Sequence, residues 1–204
     1  LHPKLPEMIS YAKDKFLEVK LNTNATRLNE KLIRSILENG VNELTYSVDE
    51  SVKEKFEKIR VNANFDQIVQ NVKLFKEIRE KEFPNSVTTT RISGVLVEKD
   101  QDVDVITNFW KNYVDHVVFV KCQNRWDTYN NEIDEIETPC NFLWERFYVW
   151  FDGKTNPCDV DYKSFLSPGK LDYEKNSIKE IWHSELLSKL RSDHLDGKRK
   201  NYNP

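Results

Sequence analysis

The chain has 204 residues and a net charge of −3, with 32% charged and 12% aromatic residues. This composition predicts a soluble globular protein of one large domain, or of one domain with a small addition. Without a basic excess it gives little support for nucleic-acid binding, and no apolar run is long enough to cross a bilayer. Three cysteines, an odd number, argue against a closed disulfide framework and predict a cytoplasmic location.

The first two thirds of the chain alternate predicted helices with predicted strands. Apolar residues three or four apart, with the N-cap Asn64 for the third, predict helices over 5–16, 28–37, 64–78 and 103–114. Alternating or β-branched residues predict strands over 17–21, 43–48, 86–97 and 117–120. Gly40 is expected to end the second helix in a left-handed conformation. Strands joined through helices are parallel with right-handed crossovers, so the pattern predicts an α/β fold, either a layered sheet or a barrel segment.

Ligands of parallel α/β folds bind beyond the carboxyl ends of the strands. Four segments follow the predicted strands, namely 22–24, 47–49, 97–99 and 121–124. Three of the four are rich in hydrogen-bonding groups, which fits a binding site. It fits equally well the general polarity of surface loops.

From about residue 130 the alternation stops. Acidic residues 132–137 predict a linker, residues 143–151 a strand, Asp152-Gly153 a two-residue turn and residues 154–158 the returning strand. One last helix is predicted from about Ser177 to near Gly197. The strand is strongly aromatic, and most of these side chains are expected to be covered on both sides: Trp144, Phe147, Tyr148, Trp150 and Phe151.

Cys140 and Cys158 flank this predicted hairpin. A two-residue turn places Cys158 opposite about Phe147, with Cys140 roughly 23 Å farther along an extended strand, whereas a disulfide needs Cα atoms within about 7 Å. Residues 141–146 would have to turn back for the sulfurs to meet, as a metal centre could organise. Two thiolates do not complete a zinc or iron–sulfur site, so further ligands would come from elsewhere.

The alternative for the two cysteines is that both are small buried side chains, and we assign Cys122 to that class. The histidines show no metal-ligand spacing: His2, His116, His183 and His194.

At this point the sequence resembles radical S-adenosylmethionine enzymes that carry a SPASM auxiliary-cluster domain. The spacing Cys140-x12-Gly153-x4-Cys158 matches the opening half of the SPASM pattern, and "GKLDYEKNSIKEIWHSELLSKLRSDHLDG" resembles the segment that follows it. Three earlier segments are similar to a helix and two strands of the radical barrel: "LHPKLPEMISYAK", "LNTNAT" and "LTYSVDE…FEKIR". The resemblance covers nearly the whole chain.

The resemblance implies an α/β fold with a partial (βα) barrel of parallel strands over residues 1–129, its first βα units missing. A small, incomplete α+β SPASM-like domain with a β-hairpin would follow over residues 130–204. The family's Cys-x3-Cys-x2-Cys motif would lie before Leu1, and the last SPASM cysteines beyond Pro204. We therefore expect a fragment, truncated at both ends and inactive alone, of a longer enzyme; the alternative is a degenerate relative without the chemistry.

The resemblance also implies roles for particular residues. Ser47 and Arg60 would contact the carboxylate and ribose of S-adenosylmethionine, while Asn22 and Asn24 add hydrogen bonds. The alternative for Arg60 is a surface ion pair with Asp49 or Glu57.

Cys140 and Cys158 would be ligands of an auxiliary 4Fe-4S cluster. Asp159 would be the catalytic base that takes a substrate proton; its alternative is a turn residue that accepts N–H bonds.

The implied function is that of an enzyme using a 5′-deoxyadenosyl radical to abstract hydrogen from a peptide or sugar-like substrate. Its cofactors would be S-adenosylmethionine and 4Fe-4S clusters, and its partner an electron donor such as flavodoxin or ferredoxin. The alternative from another class is a non-catalytic α/β binding module whose cysteines are structural or bind zinc.

Overall fold

The computed structural model describes residues 2–16, 18–122, 128–130 and 136–202. It divides into two compact units, residues 1–122 and 123–204. Three of the sequence predictions fall partly outside the described residues: the start of the first strand at Leu17, half of the 121–124 loop and most of the 132–137 linker. Among the described residues, no helix has both the length and the apolar character that a membrane crossing requires.

Helices and strands alternate along the first unit. In chain order they are α1 (Leu5–Lys15), β1 (Lys20–Thr23), α2 (Glu30–Glu38), β2 (Glu43–Ser47), α3 (Lys53–Ile59), α4 (Phe65–Glu82), β3 (Thr89–Leu96), α5 (Val103–Trp110) and β4 (His116–Lys121). All four strands are parallel, and they lie side by side in the order β1-β2-β3-β4. The α/β fold predicted from the sequence is confirmed.

One face of this sheet forms the core of the first unit. Leu44, Tyr46 and Ile92 point to this face and are fully buried. They pack in one cluster with apolar side chains of the helices, among them Ile33, Ile36, Ile68, Val72, Phe75, Ile106 and Trp110. Burial of each such side chain contributes roughly 1.5–3 kcal/mol to stability, which is why the helices stay on this side.

Alternate residues of the same strands point to the opposite face, because side chains alternate along a strand. The register brings Asn22, Thr45, Arg91 and His116 into one row across all four strands. On this face Arg91 forms an ion pair with Glu43 at 2.7 Å. The face opposite the core is therefore polar over much of its width.

The helix ends follow the predicted capping residues. The Asn64 side chain accepts a hydrogen bond from the N–H of Gln67 at 2.9 Å and so caps α4. Gly40 follows α2 with φ of +63°, the left-handed conformation expected from the sequence.

Several boundaries of the first unit differ from the predictions. β1 begins at Lys20 and runs through Thr23, so Asn22 lies within the strand and not in a turn after it. Helix α3 was missed because its seven residues bury one side chain, Phe56, which is too little for a periodic signal. Cys122, expected to be buried, is exposed.

The second unit is a small α+β assembly. Its elements are α6 (Phe142–Glu145), β5 (Tyr148–Val149), β6 (Lys154–Asn156), β7 (Gly169–Lys170), α7 (Ile178–Trp182), α8 (Glu185–Leu195) and a 3-10 turn (Arg199–Asn201). The strands form an antiparallel sheet in the order β5-β6-β7. Leu143 of α6 packs against Leu187 and Leu190 of α8 in a small core.

The strand predicted over 143–151 is wrong in its first half. Residues 142–145 form helix α6 instead, because a helical turn buries Leu143 against α8 while an extended chain would expose it. The expectation that most of the aromatic side chains are covered on both sides is wrong as well. Trp144 and Phe151 are exposed, and the other three are half-buried: Phe147, Tyr148 and Trp150.

The hairpin turn also differs from the two-residue form. The N–H of Trp150 bonds to the carbonyl of Lys154 at 2.8 Å, and that of Gly153 to the carbonyl of Trp150 at 2.9 Å. The loop therefore has three residues, with Gly153 in the left-handed conformation at φ +86°. The register is therefore shifted by one residue from the predicted one, with Tyr148 opposite Asn156 and Val149 opposite Thr155.

The last helix is likewise two helices and not one. Ser177 caps α7 with a capping box, and Ser184 caps α8 by accepting a bond from the N–H of Leu187. Ser184 therefore begins a second helix in the middle of the apolar periodicity. The periodicity alone does not reveal this break.

Gly94 in β3 tests how tightly the first unit is packed. A Cβ atom there would stand 2.3 Å from the carbonyl oxygen of Val48 and 2.3 Å from a ring carbon of Phe119. We expect Gly94→Ala to lower the free energy of unfolding by about 1–3 kcal/mol, measured by urea denaturation. Ser93→Ala, next to it on the polar face, is the matched control and should change it by at most about 0.5 kcal/mol. Equal effects of the two variants would contradict this packing.

Candidate functional site

The polar residues proposed for cofactor binding lie at the carboxyl ends of β1 and β2. Ser47 is the last residue of β2, is half-buried and pairs in register with Ser93. Asn22 is exposed on β1 beside Thr45. The topology thus brings the predicted residues of two neighbouring strands to one edge of the sheet.

Asn24 takes part in a tight turn after β1. Its side-chain oxygen accepts hydrogen bonds from the N–H and the hydroxyl of Thr26, at 3.2 Å and 2.9 Å. Ala25 has φ of +61°, and its carbonyl accepts a bond of 2.7 Å from the amide of the buried Asn71. The Asn24 oxygen therefore serves its own turn, and a bond from a ligand to that oxygen would compete with it.

The carboxylate of Asp49 joins the two segments that follow β2 and β3. Asp49 is buried, with 3% of its surface exposed. One oxygen accepts a bond from the N–H of Val95 at 2.9 Å, and the other accepts one from Nε of Arg60 at 2.5 Å. A buried carboxylate is costly unless it is paired, and this arrangement supplies both a hydrogen bond and a cation.

Gln101 completes this connection. Its Nε2 donates to the carbonyl of Asp49 at 2.7 Å, and its Oε1 accepts from the N–H groups of Val97 and Glu98 at 2.6 Å and 2.8 Å. The sequence gave no signal for Gln101, because its partners are backbone groups that the fold brings close.

Arg60 forms one of the ion pairs considered as the alternative to a cofactor role. Its Nε is bonded to Asp49, and the side chain is 37% exposed. Among the described residues, the guanidinium of Arg60 donates its hydrogen bond to Asp49 through Nε. The pair orients the guanidinium and leaves its terminal nitrogens for a further acceptor, so the ion pair is compatible with ligand binding.

Glu50 is a second buried carboxylate that sequence reasoning missed. One oxygen accepts bonds from the N–H groups of Ser51 and Val52, at 2.8 Å and 3.4 Å. The other is buried without a hydrogen-bond partner among the described residues. The backbone carbonyl of Glu50 accepts a bond from the Trp110 indole at 3.1 Å, which anchors the loop to α5.

In the second unit, the chain after Cys140 turns back as a shared metal site would require. The N–H of Leu143 bonds to the carbonyl of Cys140 at 3.1 Å, and this bond opens the turn that becomes α6. Cys140 and Cys158 are both free of disulfides and partly buried. The charge of Cys140 contributes to raising the pKa of Cys158.

Some neighbours of the Cys158 thiol raise its pKa and others lower it. Burial raises the pKa of its thiol, and the nearby charges of Asp159 and Cys140 raise it further. Hydrogen bonds from the N–H groups of Val160 and Asp161 to the sulfur lower it. The net effect is a raised pKa, which favours the protonated thiol. The Asp159 side chain is exposed.

Asp161 organises the loop after Cys158. It is fully buried and accepts bonds from the Tyr129 hydroxyl at 2.5 Å, from the N–H of Phe165 at 2.9 Å and from that of Leu166 at 2.8 Å. Burial and the bond to Asp161 raise the pKa of Tyr129 to about 12. Sequence reasoning passed over Asp161, because nothing in the spacing separates it from Asp159.

The donor set fits half of an iron–sulfur site. Over the described residues no group of three or more histidine, cysteine or carboxylate side chains is arranged to hold a metal ion. The two partly buried thiols of Cys140 and Cys158 suit two of the four thiolate positions of such a cluster. The other positions require ligands from elsewhere.

Comparison with protein families shows which family this arrangement belongs to. The model of the radical SAM superfamily matches residues 1–109. The chain therefore belongs to the radical S-adenosylmethionine (SAM) superfamily. The model of SPASM, an iron–sulfur cluster-binding domain, matches residues 140–204 and begins at Cys140. A search of curated proteins found no significant match.

Solved structures of the same family share the fold. SuiB of Streptococcus suis bound to its precursor peptide SuiA has a TM-score of 0.68 and 11% identity, covering 94% of this chain and 53% of SuiB. SuiB bound to S-adenosylmethionine has a TM-score of 0.60 and 12% identity, with the same coverage.

BtrN in complex with AdoMet and 2-DOIA has a TM-score of 0.51 and 15% identity, covering 98% of this chain and 64% of BtrN. At these identities the likeness shows the fold alone. The chain spans about half the length of SuiB.

The Asp49 network predicts an order of stabilities. Asp49→Ala leaves the N–H of Val95 buried without an acceptor and should lower the free energy of unfolding by about 2–3 kcal/mol. Asp49→Asn keeps an acceptor for Val95 and should cost about 1 kcal/mol, since the lost ion pair is partly screened by solvent at Arg60. The exposed Asp14→Asn is the control. Chemical denaturation measures all three, and an Asp49→Ala protein as stable as the control would disprove the role of this network.

Proposed function

We propose that this chain is part of a radical SAM/SPASM enzyme, which abstracts hydrogen from a substrate with a 5′-deoxyadenosyl radical and carries an auxiliary iron–sulfur cluster. The observation that supports it most is the order of the two family matches, the second of which begins at Cys140 and includes Cys158. The sequence contains no Cys-x3-Cys-x2-Cys motif, so we propose that this chain does not start radical chemistry alone. The proposal also divides the chain into a partial radical SAM barrel over residues 1–129 and a SPASM-like domain over residues 130–204.

In this proposal the carboxyl edge of the sheet binds S-adenosylmethionine. The terminal nitrogens of Arg60 suit the two oxygens of the cofactor's carboxylate, and Asp49 holds the guanidinium in place from behind. Ser47, Asn22 and Asn24 supply further hydrogen-bonding groups at the same edge.

Cys140 and Cys158 would hold an auxiliary 4Fe-4S cluster as two of its four ligands. When bound, such a cluster supplies one-electron transfer. The chain's own part would be to present the two sulfurs, through the turn that follows Cys140 and the loop that Asp161 holds after Cys158. An electron donor such as flavodoxin or ferredoxin, and a cytoplasmic location, belong to the same proposal.

We propose a peptide as substrate, with a sugar-like small molecule as the second candidate. SuiB, whose fold this chain shares, is seen bound to a precursor peptide. BtrN, with the lower TM-score, is seen with 2-DOIA. The likeness to SuiB is the stronger of the two and therefore favours the peptide.

The cluster assignment predicts a loss of iron from selected variants. We expect the full-length protein, reconstituted anaerobically, to bind iron and to cleave S-adenosylmethionine to 5′-deoxyadenosine when reduced. Cys140→Ala and Cys158→Ala should each remove about four iron atoms per chain, as measured by metal analysis. Cys122→Ala is the control and should keep the full complement.

Two results would decide against this function. A full-length protein without iron after reconstitution would contradict it, and about one zinc per chain without iron would favour the non-catalytic binding module. Iron bound equally by all three cysteine variants would leave the radical chemistry standing but would remove Cys140 and Cys158 as ligands.

The proposed role of Asp159 is that of a base which takes the substrate proton. Asp159→Asn should then slow product formation by about 100-fold or more, while the iron content and the cleavage of S-adenosylmethionine stay unchanged. Asp152→Asn, an exposed aspartate in the hairpin turn, is the matched control. Product formed at the normal rate by Asp159→Asn would leave Asp159 as a turn residue.

A further inference from the structure

The segment that carries Cys140 is bound by polar side chains at the end of α8 and just after it. His194 lies in the last turn of α8 and is 6% exposed. Its Nδ1 accepts a hydrogen bond from the N–H of Cys140 at 3.3 Å. An imidazole nitrogen accepts a hydrogen bond only when it carries no proton, so this bond requires the neutral ring with its proton on Nε2.

Two arginines hold the residues on either side of Cys140. Arg199 donates to the carbonyl of Thr138 at 3.0 Å. Arg191 donates to the carbonyl of Leu143 at 3.0 Å and to that of Trp182 at 2.9 Å. Together with His194 they bind backbone groups at three positions along residues 138–143.

The end of α8 has the geometry that makes this possible. Gly197 has φ of +72° and closes the helix, with the N–H of Lys198 bonded to the carbonyl of Asp193 at 2.8 Å. The chain then reverses, so that Arg199 comes back to Thr138. The Tyr202 ring packs 5.9 Å from the His194 ring, which limits the positions the imidazole can adopt.

We propose that His194 is a positioning residue, which fixes the backbone of Cys140 before any cluster is bound. Cys158 is held in place by its own loop through Asp161, whereas Cys140 lies where the chain has just entered the unit's small core. Cys140 packs at the edge of that core, against Leu143, Leu187 and Leu190. The side chain of His194 accepts the hydrogen bond of its backbone N–H and so connects Cys140 to α8. The contribution of His194 to cluster binding rests on the proposed function. The fixed position of the Cys140 backbone does not depend on that function.

Amide hydrogen exchange in the full chain without metal tests the positioning directly. His194→Leu removes the acceptor, so the amide of Cys140 should exchange at least about tenfold faster, the effect of losing one protecting hydrogen bond. Amides in the middle of α8 and in β6 should keep their rates. His194→Asn keeps an acceptor close to the position of Nδ1 and should restore protection.

Three outcomes would overturn the proposal. One is an unchanged exchange rate at Cys140 in His194→Leu. Another is faster exchange across the whole unit, which would make His194 a general stabiliser of the fold. If His194→Leu does not fold, His194→Gln replaces it: its acceptor lies near the position of Nε2, so Cys140 should lose protection there and keep it in His194→Asn. The third outcome is equal protection of the Cys140 amide in His194→Gln and His194→Asn.

A second measurement connects the positioning to the cluster. In the reconstituted full-length protein, iron should pass to a chelator at least about tenfold faster in His194→Leu than in the parent or in His194→Asn. If the parent binds no iron, the proposed function fails while the exchange result still decides the role of His194. If the parent holds iron and His194→Leu releases it at the parent's rate, the positioning has no part in cluster binding.

Discussion

One face of the four-stranded sheet is given over to the hydrophobic core, and this constraint decides what the other face can present. Because side chains alternate along each strand, burial of Leu44 and Tyr46 turns Thr45 and Ser47 to the opposite side. A shift of one residue in β2 would expose the core residues and bury the polar ones. The side on which Ser47 lies is therefore decided by the packing of its neighbours in β2.

The carboxyl edge depends in turn on how the buried carboxylate of Asp49 is satisfied. Because only 3% of the surface of Asp49 is exposed, a charge on its carboxylate without a partner would be strongly unfavourable. Its bonds to Val95 and Arg60 remove that cost and at the same time fix the loop after β2 against the end of β3. Stability and the orientation of Arg60 thus come from the same contacts.

The second unit has a small apolar core and relies more on hydrogen bonds to backbone groups. Its buried apolar cluster centres on Leu143, Leu187 and Leu190. Asp161 holds the loop after Cys158, and His194 bonds to the backbone at Cys140. Such bonds restrict the backbone at defined positions, which suits a segment whose sulfurs have to meet a geometric requirement.

The sequence by itself determined the alternation of helices and strands in the first unit, the caps at Asn64 and Gly40, and the family through the spacing of Cys140, Gly153 and Cys158. The periodicities and caps rest on residues a few positions apart, and the cysteine motif lies within one continuous segment of the chain. Only the tertiary structure decided that residues 142–145 are helical and that Arg60 bonds to Asp49. It alone also placed His194 against Cys140, 54 positions away. Contacts over such distances depend on the packing of whole elements, and neither periodicity nor spacing records that packing.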